Sequence, residues 1–191
     1  MPQSPQTAAP LGVLAFAGSL RAGSYNRALL RAAQELAPED LSLTLFDLIE
    51  VPLYNGDVEA AGDPPAVAAF KAAIAAADGV LIATPEYNHG VPGVTKNAID
   101  WASRPPREAP LGGKPVAIIG ASPGATGTAR GQSQLRQAFE FTNSFAMPQP
   151  ELLVFRAHEK FDEAGRLTDE ATRRYLKSFL EAFAAWIRRF A

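Results

Sequence analysis

Between residues 18 and 26 the chain runs Gly-Ser-Leu-Arg-Ala-Gly-Ser-Tyr-Asn. Ser19, Ser24 and Asn26 supply hydroxyl and amide donors and Arg21 supplies a cation, and each of them can donate to a phosphate oxygen. The stretch follows an apolar run, Leu11 to Ala17, and precedes an apolar-periodic run, Tyr25 to Leu36. A small-residue loop that leads from a strand into a helix gathers free backbone N–H groups and the positive end of the helix dipole, which suits an anion. The same residues also fit an ordinary strand-to-helix turn with Ser24 as the helix cap. Two further loops of unusual composition, Pro85 to Gly93 (PEYNHGVPG) and Ala121 to Gly127 (ASPGATG), each follow an apolar run.

One motif for covalent chemistry matches formally. Gly120-Ala121-Ser122-Pro123-Gly124 is a G-x-S-x-G after a strand, and His158 with Glu151 or Glu140 would complete a triad in the right chain order. In a nucleophile elbow the residue after the serine donates its N–H to the oxyanion, and here that residue is Pro123, which has none. Losing one such donor costs about 10²–10³ in rate, so serine hydrolysis is disfavoured. No G-x-G-x-x-G follows a strand and no G-x-x-x-x-G-K-[ST] occurs, which removes the dinucleotide and P-loop readings. A phospho-receiver domain needs acidic residues where this chain has Gly18-Ser19. There is no cysteine, hence no disulfide, thiol nucleophile or iron–sulfur ligation. The only histidines, His89 and His158, lie far apart in sequence, and no metal site is expected.

These loops need a scaffold, and the chain's patterning supplies one. Its 191 residues, 47% apolar and 20% charged, are those of one globular domain, here placed over residues 11–191. Residues 1–10 carry neither a basic residue nor an apolar segment and read as a disordered tail, not a signal peptide. A net charge of −2 gives no footprint for nucleic acid. No apolar run approaches the roughly 20 residues of a membrane span, and a cytoplasmic location is expected. Leu11–Ala17, Gly79–Thr84, Pro115–Gly120 and Leu152–Phe155 are apolar throughout, as strands covered on both faces are. Leu41–Leu45 alternates, as an edge strand does. Helices are expected over Tyr25–Leu36, from the Asp63-Pro64-Pro65 cap, after Pro92, over about Ala129–Phe145 and from Thr168; residues 48–63 read as a long loop. Strands alternating with helices give an α/β class, a doubly wound five-stranded parallel sheet of flavodoxin-like kind in strand order 2-1-3-4-5. In that topology the three unusual loops share the carboxyl edge of the sheet.

The stretches Gly18–Asn26 and Pro85–Trp101 together resemble the NADPH-dependent FMN reductase family, the flavodoxin-like group that includes quinone, chromate and azo-dye reductases. The likeness covers essentially everything after the tail; Gly90 and Thr95 depart from the family's usual hydroxyl residue and leucine. The resemblance implies an enzyme in which hydride from NADPH or NADH passes by way of FMN to a small-molecule acceptor (quinone-like, azo or metal-oxyanion). It implies that Ser19, Arg21, Ser24 and Asn26 hold the FMN phosphate, that Pro85, Glu86, Tyr87, Asn88, His89 and Gly90 pass along the ring, and that Ser122 and Gly124 close its other side. With the chemistry on the flavin, no catalytic side chain is required. The family's oligomers imply a homodimer or homotetramer, with Glu86 and Tyr87 at a loop tip as candidates for the subunit boundary. A non-catalytic FMN electron carrier or flavin sensor is the alternative, which Arg21 in the phosphate loop disfavours.

Overall fold

A computed structural model describes residues 9–191; the expected tail, residues 1–10, lies outside the described residues except for its last two. Apolar and alternating runs become β1 (Leu11–Ala17), β2 (Leu41–Phe46), β3 (Gly79–Ala83), β4 (Pro115–Ala121), β5 (Phe145–Ala146) and β6 (Leu152–Val154). Between them lie α1 (Tyr25–Leu36), α2 (Gly56–Ala60), α3 (Pro65–Ala76), α4 (Gly93–Ala102) and α5 (Ala129–Thr142), with α6 (Glu170–Ile187) closing the chain. The sheet is parallel in the order β2-β1-β3-β4-β5, with β6 also on β4.

Side chains alternate across the strands and so feed two cores. Val13 and Ala15 of β1, with Leu81 and Ile119, pack under α1 and α6, where Leu29, Leu176, Phe179 and Phe183 are buried. Leu14 and Phe16, with Val80, Ile82 and Ile118, face α3, α4 and α5 through Phe70, Ile74, Ile99 and Phe139. Burial on both faces is why the central strands carry no polar alternation.

The edge beyond β4 differs from expectation. Where one fifth strand was expected, two short pieces share the slot: β5 pairs with Pro115–Val116 and β6 with Ile119–Ala121. Pro148 and Pro150 stand between them, and neither has an N–H to give a ladder. Helix α5 stops at Thr142 instead of reaching Phe145, because Asn143 turns left-handed (φ 55°) and its N–H closes onto the Glu140 carbonyl. Residues 48–63 hold the short α2, capped by the Asn55 side chain on Asp57 N at 2.9 Å. Asp63 does not cap α3; that position is Pro64, and the Asp63 carboxylate accepts from Lys71 Nζ at 2.7 Å. Helix α6 starts at Glu170, with Asp169 as its cap, two residues after the expected Thr168. Phe155 falls outside β6 and is exposed.

Candidate functional site

The chain leaves the sheet after β1 where Gly18 N donates to Ala83 O at 2.9 Å. A Cβ on Gly18 would sit 1.8 Å from Thr95 Oγ1, so only glycine lets the loop pass beneath α4. The loop ends at Ser24, whose Oγ accepts from Asn26 N (3.2 Å) and Arg27 N (3.4 Å) and caps α1. Between these points, no backbone N–H from Ser19 to Gly23 donates to any of the described residues. The Ser19 hydroxyl and the Arg21 guanidinium likewise have no partner among the described residues. Both residues line a cleft of about 220 Å³ at the carboxyl edge of the sheet. A run of free amides with a free guanidinium, beside a helix N-terminus, is the donor set an anion needs.

Asn26 is differently engaged. Its Nδ2 donates to Ala121 O and its Oδ1 accepts from Ala121 N, both at 2.9 Å and both buried. It straps the first loop to the end of β4, while the second hydrogen of its Nδ2 has no partner among the described residues and the residue still lines the cleft.

The loop after β3 makes the next wall. Tyr87 and Gly90 exchange backbone hydrogen bonds of 3.2 and 3.0 Å around Asn88 (φ 52°) and His89 (φ 63°), the positive-φ pair of a tight primed turn. Glu86 turns inward: its side chain is 8% exposed, and its carboxylate accepts from Arg130 N (2.9 Å), Gly131 N (3.0 Å) and Arg130 Nη1 (3.3 Å). Burial alone would raise the Glu86 carboxyl, but the bonds from Gly131 and Arg130 outweigh it and hold the group below the ordinary range. Of the two candidates for a subunit boundary, Glu86 is thus spent inside the protein, whereas Tyr87 is 50% exposed. The third loop is tied down by Ser122 N to Val154 O (2.9 Å), Ala157 N to Ser122 O (3.0 Å) and Arg156 N to Gly124 O (3.1 Å).

Of the twelve expected residues, Ser19, Arg21, Ser24, Asn26, Pro85, Glu86, Tyr87 and Ser122 meet in the cleft, with Tyr25, Ala121 and Pro123 beside them. Asn88, His89, Gly90 and Gly124 stand outside its lining, on the turn and loop that flank it. Sequence reading missed Arg130, Gly131 and Gln134, which hold the second loop in place from α5; nothing in a helical run marks such residues. A larger hollow of about 310 Å³ lies between α1 and the ends of β1 and β2. Its charged lining is Arg27, Arg31 and Asp47, of which Arg27 and Asp47 are paired at 2.7 Å, and its other lining residues belong to β1, α1 and β2, so it lacks the run of unpartnered loop amides beside the smaller cleft. The hydrolase reading finds no support: Ser122 Oγ accepts from Gly124 N at 3.1 Å, while His158 is exposed and 3.6 Å from Glu159.

Comparison with known proteins gives the same direction. The family model described as NADPH-dependent FMN reductase matches residues 11–159. An NAD(P)H-dependent FMN reductase of Pseudomonas aeruginosa is 51% identical over 177 residues, covering 93% of this chain and 95% of that protein. A 2-hydroxy-1,4-benzoquinone reductase of Burkholderia sp. is 47% identical over 179 residues, covering 93% and 97%. Among solved structures, the flavoenzyme NAD(P)H:(acceptor) oxidoreductase FerB from Paracoccus denitrificans superposes with a TM-score of 0.86 at 38% identity, covering 94% of this chain and 98% of that one.

Proposed function

The chain belongs to the NADPH-dependent FMN reductase family, and we propose that it is a quinone reductase that holds FMN in the cleft between the three loops. FMN, when bound, takes two electrons from NADPH or NADH and passes them to the acceptor. The observation that carries the reading is the loop after β1, where the Ser19–Gly23 amides and the Arg21 guanidinium have no partner among the described residues and Ser19 and Arg21 line the cleft. Such donors fit a phosphate dianion, and the walls that fit a flat ring are Pro85, Tyr87, Ala121, Ser122 and Pro123, flanked by the Tyr87–Gly90 turn and Gly124.

In this reading Arg21 neutralises the phosphate, the Ser19 and Ser24 hydroxyls donate to it, and Asn26 holds the loop in register with β4. The second and third loops fix the ring's orientation through backbone groups, and Ser122 and Gly124 leave room for it. Asn88, His89 and Gly90 form the rim that a nicotinamide or an acceptor meets. The flavin-binding unit is residues 11–191. No helix among the described residues is long and apolar enough to cross a membrane, and we place the protein in the cytoplasm. Its assembly is a homodimer or homotetramer, with the half-exposed Tyr87 at a subunit boundary.

A quinone is the acceptor because the Burkholderia relative is named for one; azo compounds and metal oxyanions are further acceptors in this proposal. The test is anaerobic spectroscopy of the protein with FMN. Addition of NADPH is expected to bleach the flavin band, and addition of 2-hydroxy-1,4-benzoquinone to restore it. Absence of FMN binding overturns the reading; binding without bleaching leaves an electron carrier.

A further inference from the structure

We propose that Glu86 is a positioning residue that clamps the loop after β3 to the first turn of α5 and balances the positive charge there, beside the flavin ring. The charge half of this inference rests on FMN occupying the cleft; the clamp itself does not.

The position that should cap α5, Thr128, makes no side-chain cap. The N–H groups of Arg130 and Gly131 find their acceptor in Glu86, contributed by a different loop 44 and 45 residues away in sequence. The two segments are pressed together: a Cβ on Gly131 would lie 3.2 Å from Gly90 O and 3.4 Å from Pro85 O. A second tie follows on the same helix, where Gln134 Oε1 accepts from Val91 N at 2.7 Å. The stretch from Glu86 to Val91 is thereby splinted along α5 at both of its ends.

The charges partly cancel. A helix N-terminus carries roughly half a positive charge, the Arg130 guanidinium a full one, and Glu86 supplies a single buried negative charge between them. Glu86 and Tyr87 line the cleft, so a change in this balance is felt in it. Reduced flavin carries more negative charge than oxidised flavin. Removing the carboxylate therefore leaves positive charge unopposed and favours the reduced form, whereas removing the Arg130 cation does the reverse. A helix cap of purely structural function predicts neither effect.

The experiment uses Glu86→Gln, which keeps an acceptor oxygen for Gly131 N, together with Glu86→Ala, Arg130→Gln and the double variant Glu86→Gln/Arg130→Gln. In FMN-loaded protein, Glu86→Gln is expected to raise the ratio of reduced to oxidised FMN affinity about tenfold, an increase in midpoint potential of about 30 mV for a two-electron couple. Arg130→Gln is expected to lower the potential, and the double variant to return towards the wild type. Unchanged potentials in both single variants overturn the charge balance. In the flavin-free protein, amide exchange at Arg130 and Gly131 is expected to quicken at least tenfold in Glu86→Ala; unchanged exchange overturns the clamp. A wild-type protein that fails to bind FMN overturns the flavin reading and with it the charge balance, while the exchange experiment still decides the clamp.

Discussion

Arg21 stands in the cleft with no carboxylate to hold it among the described residues, and leaving a cation without a partner beside free amides makes sense where a ligand brings the negative charge. A hydrogen bond to a charged group contributes about 1.5–3 kcal/mol, so Arg21→Ala is expected to weaken FMN by about 10–100-fold in an equilibrium titration. Riboflavin, which lacks the phosphate, is expected to bind the variant as it binds the wild type; equal weakening of both ligands would sink the phosphate role. Asn26 looks similar in sequence and in the structure also ties two segments of backbone together. Its amide satisfies both backbone groups of Ala121, so Asn26→Leu leaves two buried groups without partners. At about 1–3 kcal/mol for each such group, the variant is expected to lose several kcal/mol in urea unfolding, with FMN absent. Residue types and spacing made both side chains visible as donors. They could not separate Arg21 from Asn26, because the Ala121 backbone lies 95 residues further on.

At the level of elements, the strands that were easiest to read are those buried on both faces, β1, β3 and β4, since covering a parallel sheet twice leaves an unbroken apolar run. The two-residue β5 has no periodicity to show, and the Glu86 cap of α5 has no local motif because its two halves come from different loops. The segment between β2 and α3 was legible only as a long loop. In the structure its backbone is held by α4: Pro52 O accepts from Asn97 Nδ2 (2.9 Å) and Trp101 Nε1 (2.8 Å), and Tyr54 N donates to Asn97 Oδ1 (2.7 Å). The Tyr54 ring meets the buried Trp101 edge-on, with centroids 5.1 Å apart. Asn97 therefore serves both chain directions at once. Asn97→Ala is expected to cost about 1–3 kcal/mol and to expose residues 52–63 to limited proteolysis well before the rest of the chain. Cleavage spread evenly over the molecule would show that this segment is held by something other than Asn97.

Across the whole molecule, stability should decline towards acid, and the sign follows from its carboxylates. The Arg188 and Arg27 guanidinium groups hold Asp40 and Asp47 below the usual carboxylate range. Bonds from the Arg166 backbone and side chain do so for Asp162, and the Thr172 hydroxyl and N–H do so for Asp169; Glu86 joins them through α5. In the unfolded chain each group returns to an ordinary value of about 4. A folded pKa below the unfolded one means that the unfolded state binds more protons as pH falls through that window. The stability these groups contribute is therefore complete above about pH 5 and is lost progressively below about pH 4. Urea unfolding followed from pH 7 to pH 3 is expected to show a plateau and then a decline. Asp169→Asn separates titration from capping, because asparagine caps a helix about as well as aspartate. The variant is expected to unfold much like the wild type at pH 3 and to show a shallower decline between pH 5 and pH 3. A decline as steep as that of the wild type would mean that the acid limb is set by carboxylates other than the one beneath α6.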